Sequence, residues 1–355
     1  MPLPSSGQLS INDIRNALGS TSGSLTTLSE LAGFTTPHQI SDFYGYGYGV
    51  IFLASTNFVS PNPQVIIKST DGGATWATLS GSPSPTLWQQ IKTTPNAKNI
   101  LGVTEDGYAY YSTNNGTSFG NQSITTNLYR CFLSDDGLYM FVHNTNDLYR
   151  SSNSGTTWTN ILTNSTSSTY FDAGAVSGNG QIVVIYRTNT SSGYSSSQFY
   201  NGDYGTGTWE QSNPSVMSGK FVLAASMSYT GQYACCVTNT GDILINNNGF
   251  AFNAWTSIAK THYMFSCDVS FTGQYIIAGS DNGYVFASTD YGVNFTTTNI
   301  GGYNMKVGVS SSGIFAVIGG SGTNDVYTSS NGTSWTAQTN TPNLTNAQYT
   351  CLSVS

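Results

Sequence analysis

Charge is what this sequence has least of: Asp, Glu, Lys and Arg together make up 8% of it. The balance is acidic, with 10 Lys and Arg against 17 Asp and Glu, for a net charge of −7. That argues against DNA or RNA as a partner, because binding a phosphate backbone takes a basic face. No basic run marks an anionic membrane patch either. Long apolar runs are missing too; nothing approaches the roughly eighteen residues of a membrane span. Met1-Pro2-Leu3-Pro4-Ser5-Ser6-Gly7 lacks the basic start and apolar core of a secretory signal, so synthesis in the cytoplasm without export is expected. The five cysteines, Cys131, Cys235, Cys236, Cys267 and Cys351, lack metal-ligand spacing. They read as small buried residues of a protein folded under reducing conditions. With 3 histidines and no His/Cys cluster, neither a metal nor a cofactor is expected.

What is abundant is Gly, Ser, Thr, Asn and aromatics, the last at 13%. They recur as one polar turn followed by an aromatic. The fullest copy is Ser69-Thr70-Asp71-Gly72-Gly73-Ala74-Thr75-Trp76. Close copies begin at Ser112, Ser151 and Ser288 and end at Phe119, Trp158 and Phe295. Looser ones run Asn246–Phe252 and Ser330–Trp335, and one with an inserted residue runs Asp203–Trp209. The closing aromatics are separated by 43, 39, 51, 43, 43 and 40 residues. A period near forty with strand composition predicts one four-stranded blade per copy, hence an all-β, seven-bladed β-propeller over residues 49–355.

One blade is legible in residues 129–158. Tyr129–Ser134 and Leu138–His143 are strands about the turn Asp135-Asp136-Gly137, Asp147–Ser152 is a third strand, and the polar turn leads into a fourth at Thr156. Asp135-Asp136 is expected to face solvent. The first blade, with strands at Gly49–Ser55, Val65–Thr70 and Ala74–Leu79, lacks an innermost strand. Tyr349–Val354 is one strand too many at the other end. The last strand should therefore complete blade one and remove an open edge.

These turns resemble the Asp-box, the bacterial neuraminidase repeat Ser-x-Asp-x-Gly-x-Thr-Trp. The resemblance implies a fold element on the face away from any ligand. Sialidases of that family need three arginines, a Tyr nucleophile backed by Glu, and an Asp acid. This chain has four arginines, Arg15, Arg130, Arg150 and Arg187, of which Arg150 sits beside a polar turn, and it lacks the family's Arg-Ile-Pro signature. Its three glutamates, Glu30, Glu105 and Glu210, offer no evident glycosidase pair, and Glu105-Asp106 and Asp281 read as turn residues. The chain is expected not to be an enzyme; the alternative is a glycan-degrading glycoside hydrolase of the Asp-box propeller type.

Residues 1–48 do not carry the repeat. Ser10-Ile11-Asn12-Asp13 caps a short helix running to Leu18, and Thr27-Leu28-Ser29-Glu30 matches a capping box for a second. Leu3–Ile14 together with Ile40–Gly45 is similar to the N-terminal module of many bacteriophage virion proteins. It implies a tail fibre, capsid fibre or decoration protein held on the particle by residues 1–48, binding other virion proteins, present in many copies or as a homo-oligomer, and located on the virion.

An aromatic stands near the start of each innermost strand: Trp88, Tyr129, Tyr170, Phe221, Tyr263, Tyr303 and Tyr349. Trp88, Tyr129, Tyr170, Tyr263 and Tyr303 are the candidate ligand-binding residues. They would stack on host-surface glycans at the channel mouth, with Asn, Ser and Thr donors nearby; the competing role is packing between adjacent blades. Ser55–Pro63 and Arg187–Ser197 are read as long variable loops.

Overall fold

The computed structural model describes residues 10–17, 22–31, 50–56, 65–83, 87–166, 168–191, 195–249, 254–303, 305–319, 326–338 and 348–355. Two short helices come first, α1 (Ile11–Ala17) and α2 (Leu25–Leu31). Ser10 and Asp13 cap α1 reciprocally: each backbone N–H is satisfied by the other's side chain, at 2.9 and 3.2 Å. The second helix starts earlier than the Thr27 pattern predicts. Its cap is Ser24, whose Oγ accepts from the Thr27 N–H, and Thr27 lies within the first turn.

All remaining described regular structure, apart from one short 3-10 turn, is strand. Blade 1 contains β1 (Ile51–Thr56), β2 (Ile66–Ser69) and β3 (Ala77–Thr78). Blade 2 is β4 (Trp88–Thr93), β5 (Ile100–Thr104), β6 (Tyr108–Ser112) and β7 (Gly120–Ser123). Blade 3 is β8 (Arg130–Leu133), β9 (Met140–His143), β10 (Asp147–Ser151) and β11 (Thr159–Thr163). Blade 4 is β12 (Thr169–Val176), β13 (Val183–Asn189), β14 (Ser195–Asn201) and β15 (Glu210–Ser212). Blade 5 is β16 (Val222–Met227), β17 (Ala234–Thr238), β18 (Asp242–Asn246) and β19 (Trp255–Ala259). Blade 6 is β20 (Met264–Val269), β21 (Ile276–Ser280), β22 (Tyr284–Ser288) and β23 (Thr296–Asn299). Blade 7 is β24 (Lys306–Val309), β25 (Phe315–Ile318), β26 (Val326–Ser329) and β27 (Thr336–Gln338). The last strand, β28 (Gln348–Val354), pairs antiparallel with β1, giving blade 1 the order β28-β1-β2-β3. Seven four-stranded antiparallel sheets result, and the predicted closure is the one observed.

The polar turn between the third and fourth strands works through a buried hydroxyl. Ser151 is 1% exposed, and its Oγ accepts from the N–H groups of Gly155 and Asn153 while donating to Asn153 Oδ1. Ser69, Ser112 and Ser288 repeat this geometry. In blade 4 Asn201 Oδ1 takes the hydroxyl's place, accepting from Gly205 and Asp203. In blade 7 the hydroxyl is Ser329, not Ser330, with the glycine three residues on instead of four. The copy beginning at Asn246 closes on Phe252, which lies outside the described residues.

Each full turn takes two consecutive left-handed residues, as at Ser154 (φ 53°) and Gly155 (φ 89°). The glycine is required twice over: a Cβ at Gly155 would lie 2.5 Å from the Tyr111 ring of blade 2. The turns thus seat each blade on its predecessor. Changing Ser151 to Ala strands the buried Gly155 N–H and removes the Asn153 N–H's partner, and should destabilise the protein by about 1–3 kcal/mol, read as a lower midpoint in denaturant titration. Ser152→Ala, one residue on and exposed, is the control expected to change little.

The core lies between blades. Leu101 and Val103 of blade 2 pack with Cys131, Leu133, Met140 and Val142 of blade 3, and Phe132 and Phe141 of blade 3 pack with Phe171, Val183 and Ile185 of blade 4. Cys131, Cys235, Cys236 and Cys267 are buried thiols, and burial raises Cys236 well above the ordinary range. The region read as a long loop, Arg187–Ser197, is mostly an extended hairpin: β13 and β14 pair from Val183↔Asn201 to Asn189↔Ser195. Of the other proposed loop, residues 57–63 lie outside the described residues. Among the described residues no helix is long and apolar enough to cross a membrane.

Candidate functional site: the central channel and its mouth

Antiparallel order fixes the two faces. Each innermost strand starts on the face opposite the polar turns and ends on the same face as them, so the channel has one mouth of each kind. In β4, β12, β16 and β20 the pairing slips by one residue near the start, leaving Gln89, Asp172, Leu223 and Phe265 as the unmatched residues. These bulges re-aim side chains at the mouth opposite the turns.

The bulge decides the fate of the candidate aromatics. Trp88 stands before the slip, paired with Thr104, in the register that Phe171, Val222 and Met264 occupy in other blades. It is core: 1% exposed, edge-on to Tyr110 at 5.4 Å, with Gly102 leaving the space its ring fills. The expectation that Trp88 lines a binding surface is therefore corrected. Tyr170 is paired with Thr188 and half-buried. Tyr129, Tyr263 and Tyr303 are 37%, 43% and 61% exposed, half of the six large apolar side chains left exposed among the described residues. Phe221 is half-buried, and the side chain of Tyr349 lies outside the described residues.

Inside the channel two cavities meet at a waist. The one toward the polar turns is about 110 Å³ and is lined in part by Thr93, Asp135, Ser226, Asp268 and Ser353. The one toward the opposite mouth is about 60 Å³ and includes Gln89, Arg130, Phe265, Ser266 and Lys306. Lys92 lines both. Its ammonium reaches from blade 2 to blade 6 and pairs with Asp268 at 3.2 Å. Asp268 also accepts from Ser226 Oγ at 2.9 Å and the Val309 N–H at 3.1 Å, so four blades converge on one carboxylate. Burial pushes the Lys92 ammonium down, but Asp268 outweighs it and holds the group above its ordinary value.

Two other carboxyls are perturbed. Asp135 does not face open solvent: it is half-buried at the channel end nearest the turns, and its N–H donates to the Gly178 carbonyl of the next blade. Burial first, then Asp136 and Asp268, push it up to about 7. The first residue of a DDG turn looks exposed in sequence, and only ring closure turns it inward. At the opposite mouth burial pushes Asp172 up to about 6, against the pull of its Thr188 hydrogen bond and of Arg130, and its Oδ2 has no hydrogen-bond partner. The Tyr263 hydroxyl is raised by burial and by Asp281 and Asp172.

Elsewhere the arginines are structural. Arg150 lies over Tyr139 and Arg187 over Phe199. Glu105 and Asp106 are exposed in the tight turn between β5 and β6, where Asp106 accepts from the Thr104 hydroxyl. Among the described residues no three His, Cys, Asp or Glu side chains converge as metal ligands.

The architecture defines the class as a seven-bladed β-propeller. No known family model matches the sequence, and no curated protein is detectably similar to it. Among solved structures the chain is similar to YCF48 bound to D1 peptide, with TM-score 0.52 and 15% identity over 76% of this chain and 89% of that one. It is similar to YCF48 from Cyanidioschyzon merolae, with TM-score 0.51 and 12% identity over 76% and 92% of the two chains. A chain of the nidogen/laminin complex gives TM-score 0.50 and 10% identity over 71% and 93%. At such identities these likenesses establish the propeller fold.

Proposed function

We propose that this is a bacteriophage virion component, carried on the particle by residues 1–48, whose propeller binds a host-surface glycan with the face opposite the polar turns. It acts as a binding module, not an enzyme, and is displayed in many copies or as a homo-oligomer, so weak single contacts add up by avidity. The placement on a virion rests on the resemblance of Leu3–Ile14 and Ile40–Gly45 to phage virion modules, and the turns' resemblance to the Asp-box supports reading them as scaffold. The observation that carries the binding role is the exposure of Tyr129, Tyr263 and Tyr303 where inner strands begin. Exposed tyrosines beside a channel offer flat apolar faces with polar tips, the chemistry that holds sugar rings. Propellers solved with a D1 peptide and in a nidogen/laminin complex are in keeping with a propeller serving as a recognition surface.

The test is retention of the purified protein on host envelope polysaccharide. Replacing Tyr129, Tyr263 or Tyr303 by Ala should weaken binding about threefold to tenfold each, from losing ~0.5–1.5 kcal/mol of aromatic contact. Phe265 is left unchanged, and Tyr327→Ala in β26 serves as the folded control. Undiminished binding by the triple variant sinks the reading. New reducing ends on incubation with the polysaccharide would instead favour a hydrolase, for which the raised carboxyl of Asp172 is the candidate acid.

A further inference from the structure

The chain carries 10 Lys and Arg at a net charge of −7. Three of the ten, Lys92, Arg130 and Lys306, line the small cavity at the mouth opposite the turns, and no Asp or Glu is among its lining residues. They arrive from blades 2, 3 and 7, so positive charge approaches from separate sides of the ring. Lys92 is deepest and already held by Asp268. Lys306 Nζ rests 4.2 Å from the centre of the Phe265 ring, which fixes its position through a cation–π contact. Arg130 sits beside Asp172, whose Oδ2 has no hydrogen-bond partner.

We propose that this cavity takes a phosphate group, and that the glycan bound by the tyrosine face is a sugar- or polyol-phosphate chain seated by a phosphodiester between Arg130 and Lys306. The assignment rests on the binding face inferred above and specifies its ligand. Two features select the chemistry. A cavity of about 60 Å³ admits an anionic group while leaving a sugar ring outside, on the exposed tyrosines. The cations approach from different blades, which suits the spread oxygens of a tetrahedral phosphate; a lone carboxylate is matched best by a planar fork from one side. Asp172 competes for Arg130. Arg130, Thr188 and Tyr263 are the groups that face it, so its protonation below about pH 6 removes a negative charge from the mouth and favours the anion.

The full-length protein is titrated with glycerol 3-phosphate, inorganic phosphate, glycerol and glucuronate by ligand-observed NMR, and with a poly(glycerol phosphate) chain by equilibrium dialysis. Saturable binding is expected for the phosphates and not for glycerol, with the polymer tightest. Affinity for the poly(glycerol phosphate) chain, whose phosphodiesters keep one negative charge each across this range, should rise severalfold from pH 7.5 to 5.5, and Asp172→Asn should flatten that rise. Arg130→Gln and Lys306→Gln should each weaken phosphate binding about tenfold. Lys98→Gln, which removes one charge from an exposed position between β4 and β5, should not. Arg130→Lys keeps the charge and guards against misfolding, with thermal midpoints recorded for every variant. Glucuronate binding tighter than glycerol 3-phosphate, equal losses in Lys98→Gln, or no saturation by any phosphate overturns the proposal. So does binding of inorganic phosphate with no gain from the polymer. Envelope binding lost in the tyrosine variants but kept in Arg130→Gln and Lys306→Gln overturns this assignment alone and leaves the binding face standing.

Discussion

Deleting Gln348–Ser355 is expected to abolish cooperative folding of the propeller, the largest effect available from so short a change. The strand removed, β28, is the innermost strand of blade 1, and its hydrogen-bonded pairing with β1 brings the end of the chain back to the first blade. Leu352 and Val354 sit in a cluster with Ile51 and Leu53 of blade 1 and Ala316, Ile318 and Val326 of blade 7. Toward blade 2 Ser353 Oγ accepts from the Thr93 N–H at 3.1 Å, and within blade 1 the Ser355 N–H extends the pairing with β1 by donating to the Val50 carbonyl at 3.0 Å. Without β28, β1 becomes an open edge with unpaired backbone groups, and the apolar flanks of blades 1, 2 and 7 meet water. The measurement is urea unfolding followed by near-ultraviolet circular dichroism. The truncated chain should show no sigmoidal transition, and adding a synthetic peptide of residues 348–355 should restore one. A truncated protein that unfolds with the parent's midpoint and slope would falsify the closure. Leu352→Asp is the milder version, leaving the backbone pairing in place while burying a charge, and should cost about 3–5 kcal/mol.

The closure and the blade count were legible in the sequence because both depend on local chemistry. A Ser hydroxyl, an Asp or Asn two residues on and a left-handed Gly make the same turn wherever they fall, and counting strands between turns leaves one over. Even there, tolerance of the motif hid its register in blade 7, where Ser329 and not Ser330 supplies the hydroxyl. The turns carry a partner that the motif did not reveal: Ser134, Ser177, Ser228 and Ser270 at the ends of inner strands accept from the N–H five residues on. Those serines were visible as the residue just before each glycine turn. The site was harder because strand side chains alternate with period two, and a bulge of one residue exchanges the faces. Trp88 and Tyr129 both stand at the start of an inner strand, 12 and 10 residues after the closing aromatics Trp76 and Phe119, yet Trp88 falls in the core register and Tyr129 outside it. The cations of the channel could not be grouped either. Lys92, Arg130 and Lys306 lie in three blades, and the ring that brings them together is a property of all seven.

Lys92→Met is expected to destabilise the propeller by about 3 kcal/mol, the usual scale for stripping one partner from a buried ion pair. The side chains of Lys92 and Asp268 are 23% and 11% exposed, so neither charge is well solvated in the folded state. Removing the ammonium leaves the carboxylate with Ser226 Oγ and the Val309 N–H, two hydrogen bonds that do not neutralise it. Lys92→Met with Asp268→Asn should recover much of the loss, because the stranded charge goes with its partner; a double variant no better than the single one overturns the account. The pH dependence has a definite sign. Lys92 binds its proton more tightly folded than unfolded, since Asp268 outweighs the cost of burial. Its contribution is therefore fully present below the unfolded value near 10.5 and declines as pH rises through the higher folded value. In parallel melts at pH 8 and pH 11, the wild type should lose stability relative to Lys92→Met on the alkaline side, narrowing the gap between them. Lys92 also lines both cavities, with Asp268 on the side toward the turns, so shortening its side chain widens the passage between them. Lys92→Met should accordingly lower phosphate affinity less than Arg130→Gln or Lys306→Gln does, because Asp268 already offsets most of the charge that Lys92 brings.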